Sequence, residues 1–229
     1  MEENAQNKNN RARALWLQCA ANGLSYARMA AAPLLFARIA RGEHRSWKTA
    51  AIVGLLAVSD YVDGKLARKA VRTDPSIVSE HGAWADQMAD KALTHALMGG
   101  LAVRAIYERK PGQAAFLIAN EAVQATRDIV VTNIRKEAAH YNVSTRAQWA
   151  GKVKAAELLA SLTVLTSPLA NNQIGEMAGL SGIAIGTGLS VTSGVSLANS
   201  LHEGIAVAQQ LQEEARPMGV PPEIENSLA

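Results

Sequence analysis

The sequence predicts an all-α protein, an integral membrane bundle of six transmembrane helices entered through a short amphipathic N-terminal helix. Three observations carry that expectation. Six apolar segments of helix length follow one another along the 229 residues. No run alternates apolar and polar residues between turn signals, so nothing reads as a strand or hairpin. The charged residues gather in the connections between the apolar segments. The length suits one domain, or at most two.

The chain opens with a polar leader, "MEENAQNKNNRARAL", which carries both signs of charge and no signal-peptide pattern. Residues 1–21 are expected to be a disordered leader running into an interfacial helix around Leu15, Trp16 and Leu17. Arg11 and Arg13 would meet lipid headgroups there, and a frayed soluble helix end fits the same residues equally.

The first apolar segment is Gly23 to Ala40 and the second Trp47 to Ala67. The third is Ala83 to Ile106, the fourth Ala114 to Ile134, the fifth Val153 to Pro168 and the sixth Ile174 to Val207. Spans of ~17–25 residues can cross a hydrocarbon core. Alanine and glycine dominate them, and mean hydropathy is near zero. By hydropathy alone, a membrane bundle and a soluble helical bundle fit equally well. The sixth segment is so rich in Gly and Ser that it would make a poor helix in water. Its "GIAIG", Gly182 to Gly186, has the small-xxx-small pattern of helices packing closely in lipid. Trp47, Trp84 and Trp149 stand near segment ends, where an aromatic belt would place them. With six spans and the N-terminus inside, the second and fourth connections face the cytoplasm and carry the excess of Lys and Arg. The tail, residues 209–229, contains "RPMGVPPEIENSLA" and reads as disordered, acidic and Pro-rich.

A formal net charge of +3 is too mild to argue for nucleic acid, so no nucleic-acid partner is expected, while an anionic lipid surface would suit it. The one cysteine, Cys19, excludes an internal disulfide, and no Cys/His zinc spacing exists.

The informative residues lie at the end of the second segment and the start of the third. Asp60 and Asp63 are three apart, and Asp86 and Asp90 are four apart, so each pair shares a helix face. A helical hairpin brings all four to one level. Four unpaired carboxylates would repel, and a hard divalent cation resolves the repulsion, with oxygen ligands suiting Mg²⁺ or Mn²⁺. Gly64 weakens its helix, but its missing side chain lets a ligand approach the backbone. Gly82 is placed to do the same across the cleft, Ala67 keeps the next turn small, and Arg68 offers a planar donor fork to phosphate. The pattern reads as metal ions plus a phosphorylated ligand. A cation transporter would instead distribute its acids through the membrane depth.

"DYVDGKLAR", a spacer and "GAWADQMAD" resemble the signature of the CDP-alcohol phosphotransferase family (the class I CDP-alcohol phosphatidyltransferases), D-x-x-D-G-x-x-A-R followed by G-x-x-x-D-x-x-x-D. Asp60, Asp63, Gly64, Ala67, Arg68, Gly82, Asp86 and Asp90 fill all of its defining positions. The spacer, Lys69 to His81, has thirteen residues and is longer than the family's, which predicts a larger loop between the second and third helices. Further stretches are similar to the phosphatidylglycerophosphate synthase branch. "NGLSYAR" resembles its N-x-x-T-x-x-R opening with Ser25 in place of Thr. "TRDIVVTNIR" resembles A-R-E-I-x-x-x-x-x-R with Asp128 in place of Glu. "WAGKVKAAELL" resembles G-K-x-K-T-x-x-Q, with Ala155 and Leu158 in place of the Thr and Gln. The similarity runs from about Asn22 to Leu159, within an expected membrane domain over residues 22–208.

The resemblance implies transfer of a phosphatidyl group from CDP-diacylglycerol to an alcohol, with release of CMP. The branch implies glycerol 3-phosphate as acceptor; inositol phosphate, serine or phosphatidylglycerol would be the acceptor in other branches. It implies metal binding by Asp60, Asp63, Asp86 and Asp90, with Asp90 also the general base. Donor contacts fall to Asn22, Ser25, Gly64, Ala67, Arg68 and Gly82, and the acceptor's phosphate to Arg127, Arg135, Lys152 and Lys154. Expected too are membrane lipids as neighbours, an active site facing the cytoplasm from the cell inner membrane, and a homodimer.

Overall fold

The computed structural model describes residues 2–77, 80–141, 143 and 149–214. Among them there are six α-helices and no strand. They are α1 (Glu2–Ala40), α2 (Trp47–Thr73), α3 (Glu80–Tyr107), α4 (Pro111–His140), α5 (Trp149–Thr166) and α6 (Gln173–Glu214), with a 3₁₀ turn at Pro168–Asn171. α1 packs on both α2 and α3, α3 on α4, α4 on α6, and α5 on α6 and α2.

Local chemistry sets the ends. Ser46 caps α2, its hydroxyl accepting from the Thr49 amide at 3.2 Å. Pro111 opens α4, where a missing N–H costs nothing. Gly42 takes φ 89°, which a β-carbon would resist, and lets the chain turn tightly after α1. The core joins Leu35 and Ile39 of α1, Val53 of α2, Leu93 and Leu97 of α3, Leu117 of α4, Leu162 of α5 and Ile183 of α6.

Several boundaries differ from the sequence reading. The leader and first segment form one continuous helix, α1, rather than a disordered stretch and a separate interfacial helix. Ala14, Leu17 and Ala21 are buried, so packing of this apolar stripe holds the early turns in place. The long spacer does not make a large loop: α2 continues through Lys69 to Thr73, and α3 begins at Glu80. Asp74 ends α2 because the residue before Pro75 is disfavoured in helical conformation. α5 stops at Thr166, and Pro168 belongs to the 3₁₀ turn capped by Ser167. The first residues of the expected tail, up to Glu214, belong to α6, and residues 215–229 lie outside those described.

α6 forms despite its Gly and Ser content because α5 covers its small residues. A β-carbon at Gly182 would collide with the Ser161 hydroxyl and lie 2.8 Å from the Glu157 carboxylate. One at Gly186 would sit 3.6 Å from the Leu158 backbone. "GIAIG" therefore packs within the chain. Gln173–Leu211 of α6 is the one stretch among the described residues that is long and apolar enough to cross a membrane by length and composition. The other helices carry charged residues inside their apolar segments, which lowers their hydropathy.

Two outcomes test this packing. Gly182→Leu should destabilise the protein by about 1–3 kcal/mol through overpacking, read as a lower melting temperature in detergent. Gly188→Leu, with nothing within 4 Å of its β-carbon position, should not. Separately, burial and the neighbouring Arg45 cation push the pKa of His44, in the α1–α2 connection, from 6.5 down to about 4. Because the unfolded chain binds that proton first, this contribution is full above pH 6.5 and is lost as pH falls towards 4. The loss should amount to about 3 kcal/mol, and His44→Gln should flatten that part of a stability-against-pH curve.

Candidate active site

Three helices meet at a carboxylate cluster. Asp60 and Asp63 come from one face of α2 and Asp86 from the first turns of α3, and one oxygen of each lies within 4.8 Å of the others. The residue that holds them is Arg28 of α1, which is 1% exposed. Its Nη1 donates to Asp60. Its Nη2 donates to Asp63 at 2.5 Å and to Asp86 at 2.8 Å. Ser25, one turn earlier on α1, donates to the same Asp63 oxygen at 3.2 Å. Asp63 is buried, while Asp60 and Asp86 are part-exposed. One guanidinium against three carboxylates leaves two negative charges uncompensated, and the donors are all hard oxygens. The set fits a hard divalent cation, such as Mg²⁺ or Mn²⁺, better than a soft metal.

Beside the cluster, α1, α2 and α3 enclose a cavity of about 520 Å³. Asn22, Ser25, Gly64, Ala67, Arg68 and Gly82 all line it, together with Asp63 and Asp86. Sequence reasoning singled out each of these positions, and the fold brings them to one space. It did not anticipate Gln18 and Arg72, which line the same cavity. Gln18 donates to the Asn22 side chain at 3.2 Å. Arg72 faces the cavity because α2 runs past its expected end.

The two glycines behave differently. Gly64 leaves a bare patch of α2 over which Arg68 lies, its Nη1 3.3 Å from where a β-carbon would be. At Gly82 the space is already taken. A β-carbon there would come 2.6 Å from the Asn22 carbonyl oxygen and 2.8 Å from the Gln18 amide nitrogen. Gly82 lets α3 approach the Asn22 and Gln18 side chains of α1, and it also lines the cavity.

Asp90 is not one of the three acids whose oxygens converge. It lies one turn further along α3 and lines a small polar cavity of about 20 Å³ with Lys91, His95 and Asp128. Lys91 donates to the Thr132 hydroxyl at 3.0 Å, tying α3 to α4. His95 Nδ1 lies 2.5 Å from Glu121 Oε1, and its Nε2 lies 3.9 Å from Asp128. Neither the His95–Glu121 pair nor the Gln124–Ser190 hydrogen bond (2.7 Å) was legible from motif spacing.

Arg127 donates to Asp128 at 2.9 Å. Arg127 and Arg135 each carry a buried Nε with no hydrogen-bond partner. They are eight residues apart, about two turns, and share a face of α4. Lys152 and Lys154 fall in the first turns of α5, where the side chains lie outside the described residues. His81 is in the same position at the start of α3.

An acid cluster at the end of a helical hairpin, opening on a cavity with cationic walls, is the chemistry of an enzyme that moves a substituted phosphate group. The family model for CDP-alcohol phosphatidyltransferase matches residues 18–192, most of the chain, and the chain belongs to that family. No curated protein sequence matches it significantly. The family is membrane-embedded and transfers a phosphatidyl group from a CDP-alcohol to an acceptor alcohol, generally with a divalent metal.

The central role of Arg28 is directly testable. Arg28→Gln leaves three carboxylates facing one another without a counter-charge. Breaking a buried pair costs ~3–5 kcal/mol, and exposure of Asp60 and Asp86 should hold the loss to the lower end. The variant should melt well below wild type, and added Mg²⁺ should raise its melting temperature by more than that of wild type. Equal melting curves without metal would show that the cluster does not depend on the guanidinium.

Proposed function

We infer that the protein is a phosphatidylglycerophosphate synthase, transferring phosphatidyl from CDP-diacylglycerol to glycerol 3-phosphate with release of CMP. The observation that carries the acceptor assignment is the pair Arg127 and Arg135. Two guanidinium groups on one face of α4, each with an unpartnered Nε, suit an acceptor that brings its own phosphate. Asp128, hydrogen-bonded to Arg127, lines the same small cavity as Asp90. The acceptor's hydroxyl is assigned to the Asp90 side of α4, next to Asp128.

In this reading Asp90 accepts the proton of the acceptor hydroxyl as its oxygen bonds to the donor's β-phosphorus. The bond from that phosphorus to the oxygen bridging the diphosphate breaks, and CMP leaves with the electron pair. Arg68 and Ser25 orient the donor's diphosphate, and Asn22, Ala67 and Gly82 shape the wall that receives the nucleotide. Asp60, Asp63 and Asp86, with Asp90 nearby, would hold a divalent ion, Mg²⁺ or Mn²⁺, which would supply charge neutralisation to the transferred phosphate group. Lys152 and Lys154 are assigned to the acceptor's phosphate with Arg127 and Arg135.

The membrane domain, residues 22–208, is assigned six spans in the cell inner membrane with the active site facing the cytoplasm. Outward-facing apolar side chains on several helices support the multi-pass arrangement: Leu34 on α1, Leu55 on α2, Ile118 on α4 and Ile185 on α6 are all exposed. A homodimer remains part of the proposal on family grounds, without a role for "GIAIG".

Membranes bearing the protein should convert labelled glycerol 3-phosphate and CDP-diacylglycerol to phosphatidylglycerophosphate only with divalent metal present. Product from another alcohol, and none from glycerol 3-phosphate, would overturn the acceptor assignment. Asp90→Asn should lower kcat by ~10²–10⁴ as expected for loss of a general base, with KM for glycerol 3-phosphate little changed. Arg127→Ala should instead raise that KM.

A further inference from the structure

A line of charged side chains crosses from α3 to α4, and neither the metal site nor the donor cavity uses it. His95 lies near the middle of α3, between the buried Leu93 and Leu97. Glu121 and Asp128 face it from α4, seven residues apart and so about two turns along one side of that helix. His95 Nδ1 is 2.5 Å from Glu121 Oε1, and its Nε2 is 3.9 Å from Asp128 Oδ2. Asp128 Oδ1 in turn accepts from Arg127 Nη1 at 2.9 Å. Gln124 lies between the two acids, but its amide nitrogen donates to Thr187 of α6 and its oxygen accepts from Ser190. Lys91, the other cation at the small cavity beside Asp90, donates to Thr132. α5 brings the apolar Ala155 and Leu158 to that cavity. His95 is therefore the group that faces both Glu121 and Asp128.

This geometry sets the state of the ring. A neutral imidazole donates from one nitrogen and presents a lone pair at the other. Between two carboxylates, that lone pair would face an anion. Glu121 would also lose its counter-charge. Among the described residues His95 is its ion-pair partner, and its second oxygen, Oε2, is buried without a hydrogen bond. An unpaired carboxylate inside a helical bundle is costly. With both ring nitrogens protonated the signs alternate along the line: Glu121 negative, His95 positive, Asp128 negative, Arg127 positive. We propose that His95 is a positioning residue for the acceptor side of the site, a doubly protonated imidazole that bridges Glu121 and Asp128 and so fixes the carboxylate that holds Arg127. This rests on the reading of Arg127 as a ligand of the acceptor's phosphate. Such a ring has no lone pair to take a proton from Asp90, so it holds charge in place and does not relay it. Glu121 sets the ring's orientation from the side away from Asp128.

Nitrogen NMR of the full-length protein in detergent, isotope-labelled at its histidine rings, reads the ring's state without substrate. His95→Gln identifies the His95 signals by their loss, and His95→Lys does so should the glutamine variant not fold. At neutral pH both His95 nitrogens should carry a proton, and one bare nitrogen overturns the proposal. Turnover then reads the positioning. His95→Gln should raise KM for glycerol 3-phosphate roughly three- to tenfold, the size of effect that substitutions in a network away from the ligand produce. Its kcat and its KM for CDP-diacylglycerol should move little. His95→Lys returns a cation to the same place and should recover part of the loss. If His95→Gln raises both KM values alike, or if His95→Lys recovers nothing, the defect is one of general packing and the role is overturned. Arg127→Ala separates this inference from the acceptor reading beneath it. A raised acceptor KM in Arg127→Ala with none in His95→Gln overturns the positioning role and keeps the acceptor reading. An unchanged acceptor KM in Arg127→Ala overturns the acceptor reading, and the positioning role with it.

Discussion

The bundle is organised around one guanidinium. Arg28 reaches from α1 to acids on both α2 and α3, and those three helices form the cavity beside the acids. Carboxylates brought this close repel one another, and in a low-dielectric surrounding the repulsion grows. Without a counter-charge the cheapest response would be for α2 and α3 to move apart, opening the cavity. Arg28 removes that incentive, and Ser25 adds a neutral donor on the same helix face. Arginine suits the position because its planar fork serves several acceptors at once, where an ammonium would present a single point of charge.

Such a lock works only if the helices can come near enough. Small residues supply the approach. Gly82 admits Asn22 and Gln18 at the mouth of the site. Deeper down, a β-carbon at Gly100 would stand 3.2 Å from both the Ile39 side chain and the Phe36 carbonyl, so α3 lies close on α1 there too. On the far side Gly182 and Gly186 press α6 onto α5. Polar side chains then fix the remaining pair, with the buried Gln124 accepting from Ser190 and donating to Thr187 at 3.3 Å. Close packing of small residues and internal hydrogen bonds are the means by which helices associate where no hydrophobic force acts between them.

The helices and the acidic positions were readable because they rest on local periodicity. An i, i+3 pair on α2 and an acid at the start of α3 state their own geometry. Arg28 did not, since its partners lie 32, 35 and 58 residues away and nothing in "NGLSYAR" names them. Asp90 illustrates the reverse. Its spacing from Asp86 placed it on the same face, yet one further turn carries it towards Lys91 and His95 rather than into the three-acid group. The long spacer was misread as loop although "KAVRT" consists mostly of good helix formers and the stop, Asp74–Pro75, stands just beyond it. "GIAIG" announced a close helix contact without saying whose helix, and α5 supplies it.

The charge balance at the cluster explains why a lock of this kind can coexist with a binding site. Full neutralisation by three cations would leave little affinity for a metal, and none at all would leave the three acids repelling one another until a metal binds. One arginine lies between these limits. It offsets enough repulsion for α2 and α3 to stay together, while two uncompensated charges keep the cluster attractive to a dication. The cationic Arg68 and Arg72 stand on the cavity wall and not among the acids. The separation is one of helix position. Acids and their counter-charge occupy the three-helix junction, and free cations occupy the turns of α2 beyond it. The extension of α2 to Thr73 thereby turns spacer residues into cavity wall and adds the Arg72 cation to it.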